Sequence, residues 1–177
     1  MIALRVKVVG IKTGGFAKKI PLAIARGLNE GGDKVRTQVQ RALKTQTGVT
    51  KYASITSRMQ DSGRGYARAA PGKLAYQIIA KGKGIPIKEF PVKDTGHGID
   101  ARTWGVDHLF KRSFGMPGRG VDGFRARLTD KRLPIRKLYG PSLPKELVKD
   151  KAAEVFIASA QGVVPAAVLK HLLKSVG

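Results

Sequence analysis

The spacing of apolar positions changes along the chain. Residues 2–9 alternate, with Leu4, Val6 and Val8 on one side and Arg5 and Lys7 on the other. That period of two predicts a half-buried strand. From Phe16 to Lys44 the apolar residues Phe16, Ile20, Ile24, Leu28, Val35, Val39 and Leu43 recur at helical spacing, which predicts a long helix with one core-facing stripe. Gly31-Gly32 is expected to kink or split this helix, and Gly48 to close it. Thr50 is placed to cap a short helix over 51–59.

The pattern then becomes strand-like. The glycine-, arginine- and alanine-rich stretch 61–72 has little apolar anchorage and predicts a mobile arm. Strands are expected over 74–80, 85–92, 99–106 and 123–128, with Pro86 and Pro91 marking the second as an edge strand. A long glycine-rich loop over 108–121 separates the last two, and loops of this length often carry function. Beyond Pro141 and Ser142, Val148, Ala152, Val155 and Phe156 restore helical spacing. Gly162 and Pro165 are expected to bend or break that helix before Val168, Leu169, Leu172 and Leu173 resume it. No internal repeat is evident. The fold class expected is α+β over a single domain, 1–177: long N- and C-terminal helices packed on a small antiparallel sheet, with long glycine-rich loops.

Composition adds one strong constraint. The 177 residues hold 34 Lys and Arg against 12 Asp and Glu, a net charge of +22. Residues 1–60 carry twelve basic and two acidic residues, 61–140 seventeen and seven, and 141–177 five and three. The excess therefore covers the first three-quarters and fades in the C-terminal segment. Such a charge opposes close association unless a polyanion or an acidic surface offsets it. The chain has no cysteine, so disulfide and thiolate chemistry are excluded. The first ten residues lack the apolar block of a secretory leader, and no apolar run near the length of a bilayer span is apparent. Synthesis and assembly in the cytoplasm, without membrane contact, are the expectation.

Catalytic signatures are absent. His97, His108 and His171 fall in different segments, and neither Asp94 with His97 nor Asp107 with His108 has the spacing of a defined metal site. Gly-x-Ser-x-Gly is missing, Gly72-Lys73 is followed by Leu74 rather than Ser or Thr, and the acidic residues are scattered. No enzyme activity, metal or cofactor is expected. Cations are better placed for contact with a polyanion or an acidic partner. Lys111, Arg112, Arg125 and Arg127 lie near Phe114 and Phe124, and Arg125 and Arg127 would share one face of a strand. Arg64, Arg68 and Arg119 sit in the arm and the loop.

The most specific stretch is Lys131-Arg-Leu-Pro-Ile-Arg-Lys-Leu-Tyr-Gly-Pro-Ser-Leu-Pro144. Leu133, Ile135 and Leu138 read as a last strand that also holds Arg132, Arg136 and Lys137, and Tyr139-Gly140-Pro141 as the turn into the terminal helix. This stretch resembles the minor tail protein Z family, the tail-completion proteins of lambda-like tailed phages, in which a similar Arg-Leu-Pro-Ile to Leu-Tyr-Gly-Pro-Ser segment precedes a C-terminal helix. The helix running into Lys44-Thr-Gln-Thr-Gly-Val49 and the order of elements are similar too.

The resemblance implies a structural virion protein at the head-proximal end of the tail, acting in tail completion at the neck and in joining tail to head. It implies a six-fold ring of copies, with tail terminator, tail tube or head–tail connector proteins as neighbours, no cofactor, and at most non-specific contact with phage DNA. Arg132, Leu133, Pro134, Ile135, Arg136, Tyr139, Gly140 and Pro141 would then form a structural junction with nearby assembly contacts. The competing expectation, from charge alone, is a sequence-independent nucleic-acid-binding protein.

Overall fold

A computed structural model of the chain describes residues 2–5, 19–59, 66–116 and 123–176. The long helix α1 spans Lys19–Thr47. Ile24, Leu28, Val35, Val39 and Leu43 are all buried along it, as the spacing predicted; Phe16 lies outside the described residues. The helix closes at Gly48, whose φ of 77° is left-handed and whose N–H donates to Lys44 O at 3.0 Å, an αL stop that suits glycine.

Gly31-Gly32 does not split α1. A β-carbon on Gly32 would stand 2.5 Å from the fully buried Tyr76 ring, and one on Gly31 would stand 3.1 Å from Val164 Cα. The pair has no side chains because two elements close in on the helix there, and the resulting packing offsets the cost of glycine in a helix.

The short helix α2, Tyr52–Arg58, follows without a side-chain cap. Thr50 instead donates its N–H to Glu89 O at 3.0 Å. Arg58 grips Glu89 through two hydrogen bonds of 2.7 and 3.0 Å. Burial works against the Glu89 charge, but Arg58 and Ser54 outweigh it and hold the carboxyl below its usual range.

Among the described residues the strands form three antiparallel sheets of three. In the first, β3 (Ala75–Ile78) lies between β1 (Ile2–Arg5) and β2 (Tyr66–Ala67). Within the arm expected over 61–72, residues 66–67 are strand and Ala70 bridges to Lys73, while 61–65 lie outside the described residues. Beyond β2, Asn29 brackets Ala69 with hydrogen bonds of 3.0 and 2.8 Å, and Arg68 pairs with Asp33 at 2.7 Å, so residues 66–69 are tied to β3 and α1.

The expected strand over 85–92 is a 3-10 turn, Ile87–Glu89, followed by β4, Val92–Asp94. Pro86 and Pro91 have no N–H to give a ladder, and Phe90 N–H turns back to Ile87 O. The next expected strand reverses at Trp104-Gly105, both at positive φ, a tight hairpin turn. It joins β5 (Gly98–Thr103) to β6 (Val106–Lys111), and with β4 they form the second sheet in the order β4-β5-β6. The stretch 108–116 of the expected loop over 108–121 is therefore strand on both sides of Arg112, because β7 (Ser113–Met116) follows immediately after it, and 117–121 lie outside the described residues. In the third sheet β8 (Gly123–Arg127) lies between β7 and β9 (Ile135–Lys137).

The C-terminal segment begins with a single turn, α3 (Leu143–Glu146), and continues as α4 (Asp150–Val176). The Gln46 side chain receives the Ala152 N–H at 3.0 Å and donates to Glu146 at 2.8 Å, so α1 caps the start of α4. α4 passes unbroken through Gly162 and Pro165. Pro165 faces outward, while neighbouring Val164, Ala167 and Val168 are buried against α1, and that packing holds the helix across the missing N–H. Contrary to the expectation from the sequence, Asp150–Ser175 is long and apolar enough, by length and composition, to cross a bilayer.

Candidate functional site

Cross-strand register builds a basic face on the third sheet. Phe114 pairs with Arg125, Arg125 with Lys137, and Arg127 with Ile135. Alternation turns Ala126, Phe124 and Leu138 towards the core and leaves Arg125, Arg127, Phe114 and Lys137 on the opposite face. Tyr139, two residues beyond Lys137, continues that row and is exposed.

The cations lie on rings. The Arg127 guanidinium sits 5.4 Å from the Phe114 centroid, and the Lys137 ammonium 5.7 Å from the Tyr139 centroid, within cation–π reach. Among the described residues, no acidic side chain pairs with Arg125, Arg127 or Lys137. Arg125 and Lys137 oppose each other directly, a like-charge pair that costs stability unless an anion offsets it.

At the Arg127 end this face opens into a cleft of about 300 Å³, lined by His97, Arg112, Phe114, Arg127, Thr129 and Asp130 among others. Asp130 is the acidic group there, and Arg112 holds it at 2.7 Å.

The structure brings together only some of the cations singled out from the sequence. Arg125 and Arg127 share a face as expected. Arg112 sits at the cleft and Lys111 is exposed beside it. Arg68 lies elsewhere, against α1, and Arg64 and Arg119 are outside the described residues. Phe124 packs towards the core, so the ring beside Arg127 is Phe114 alone. Lys137 was not singled out, since its place opposite Arg125 depends on a strand pairing between distant segments.

The junction residues divide into two groups. Arg132, Leu133 and Pro134 are exposed, Ile135 is half-buried, and Arg136 is exposed. From Leu138 onward the backbone is pinned to the segment over 85–87: Gly140 N–H donates to Ile85 O at 2.7 Å, Ile85 N–H to Pro141 O at 2.9 Å, and Ile87 N–H to Leu138 O at 3.2 Å. Pro141 is buried, and Gly140 lies against the Phe90 ring.

A second surface lies on α4. One side packs on α1, but Ala158, Gly162, Pro165, Ala166, Leu169 and Leu173 form an apolar row facing away from it. Leu169 and Leu173 are 58% and 73% exposed, and the space around a β-carbon on Gly162 is open. An apolar row of this length left facing solvent marks an interaction surface.

Among the described residues, no group of three or more His, Asp or Glu comes together to hold a metal ion. No protein-family model, curated protein or solved structure matches this chain.

Proposed function

We propose that this protein is a non-catalytic structural subunit of a tailed-phage virion, at the head-proximal end of the tail, where copies close into a ring that completes the tail and helps join it to the head. The observation that carries this reading is the apolar side of α4 left uncovered in the single chain. A helix of this composition calls for a partner along its outer side, and it lies in the segment where net charge has nearly vanished, so copies meet there with least repulsion.

A head-to-tail contact, in which this apolar row meets a different surface of the next copy, forms a ring where its rotation closes. The Leu133-Pro-Ile to Tyr139-Gly-Pro segment supports the phage assignment through its resemblance to tail-completion proteins. Tail terminator, tube or connector proteins are the neighbours such a ring would meet.

Negative-stain imaging of particles assembled without this protein tests the reading. Tails that fail to join heads are expected. Normal, infectious head–tail joints would overturn it.

A further inference from the structure

We infer that the outward face of the β7–β8–β9 sheet is a binding site for the phosphodiester backbone of nucleic acid, read without regard to sequence. It is independent of the ring and goes beyond it.

Three features carry the inference. Arg125 and Lys137 face each other across paired strands with no acid between them among the described residues, so the bare face is electrostatically unfavourable and a bound anion relieves it. Arg127 stands two residues from Arg125 along one strand, about 7 Å away, and the cleft with His97, Arg112 and Thr129 continues from it. Asp130 shares that cleft and pairs with Arg112, so the row of cations without an acidic partner among the described residues is Lys137, Arg125 and Arg127, suited to a polymer with a regularly repeated negative charge. Lastly, Phe114 and Tyr139 hold Arg127 and Lys137 against their rings. Long cations already laid down lose less side-chain entropy on meeting a phosphate.

An acidic protein is the rival occupant. Protein interfaces usually draw most of their affinity from a few apolar or aromatic anchors. Here both rings are overlaid by cations, so the face presents charge where a protein partner would need anchors. The same overlay leaves the rings poorly available for base stacking, so phosphate is the group recognised.

The test is fluorescence anisotropy with a labelled random-sequence duplex over about 50 to 200 mM NaCl. Arg125→Gln/Arg127→Gln/Lys137→Gln is compared with Lys145→Gln/Lys149→Gln/Lys151→Gln, which removes the same charge from the C-terminal segment, and thermal melts confirm that both fold. The sheet variant is expected to bind at least about tenfold more weakly and to lower the log–log salt slope by about two to three, while the control lowers it by less than one. In the unaltered protein, duplex is expected to protect Lys137 from acetylation, and single-stranded DNA is expected to bind no more tightly than duplex.

Equal losses in the two variants, or an unprotected Lys137, would overturn the proposal. So would poly-glutamate binding through this face where DNA does not bind, an outcome that assigns it to an acidic protein. None of these readouts requires a ring, so failure here and failure of the virion reading are separable.

Discussion

A β-carbon on Gly27 would stand 2.5 Å from the Cα of Val168, so α1 and α4 meet there backbone against backbone. Neither atom belongs to a flexible side chain, and relief requires the helices to separate. Gly27→Ala is expected to cost at least about 2–3 kcal/mol and to lower the melting temperature by roughly 5–10 °C. Gly162→Ala, on the open side of α4, is the matched control. It is expected to stabilise by about 0.5–1 kcal/mol through a stiffer unfolded chain. Thermal melts of both variants check the pair, and a neutral Gly27→Ala would contradict the close approach.

The junction into α3 offers a similar contrast. On Gly140 a β-carbon would come within 3.0 and 3.2 Å of the buried Phe90 ring and 3.3 Å of Thr103 Cγ2, so Gly140→Ala is expected to cost about 1–3 kcal/mol. Tyr139 is 45% exposed, and its ring centroid lies 5.7 Å from the Lys137 ammonium. Tyr139→Ala leaves the backbone pairing intact and is expected to cost less than about 1 kcal/mol. The sequence placed Tyr139 and Gly140 together in the structural junction. The packing at the two positions differs, and urea melts of the two variants should show the order.

Much of the α+β layout was legible in the sequence because it rests on local periodicity. Ile24, Leu28, Val35, Val39 and Leu43 marked the buried side of α1, and Gly48 marked its end. The misread elements depend on contacts between distant residues. Gly31-Gly32 resembles a break until Val164 and Tyr76 are seen to occupy the space a side chain would fill. Pro165 likewise resembles a break until the flanking Val164 and Val168 are seen packed on α1. At the candidate site, Arg125 and Arg127 followed from strand alternation. Lys137 did not, since nothing local states that residue 137 pairs with residue 125.

Glu30 ties the two long helices at their surface. It accepts from Lys170 at 2.9 and 3.1 Å and meets His171 at 2.9 Å and Lys34 at 3.2 Å. The hydrogen bonds from Lys170, then His171 and Lys34, hold its carboxyl down at about 2. Because the folded value lies below the ordinary one, the contribution is fully present above about pH 4.5 and disappears as pH falls towards 2. Glu30→Gln is therefore expected to melt below the unaltered protein at pH 6, with the difference shrinking through that acid window. A difference that stayed constant down to pH 2 would contradict the ion-pair account.

Thr103 is fully buried, and its hydroxyl has no hydrogen-bond partner among the described residues. A buried hydroxyl without a partner carries a desolvation cost that a methyl group avoids. Thr103→Val keeps the branched shape beside Gly140, and a gain of about 1 kcal/mol in unfolding free energy is expected. A loss of stability would mean that this hydroxyl has a partner in solution.

The outer side of α4 gives the most direct test of assembly. Leu169 and Leu173 are 58% and 73% exposed, so replacing both with Glu removes little burial from the single chain. The melting temperature of the isolated subunit should change only slightly, about 0.5 kcal/mol or less in stability. If the apolar row is the contact between copies, two carboxylates on each subunit would enter an apolar interface without partners, and such burial is costly enough to prevent closure. Sedimentation velocity over a concentration series is expected to show the unaltered protein passing to a closed oligomer while Leu169→Glu/Leu173→Glu remains a monomer. Equal assembly by both proteins would remove α4 from the contact.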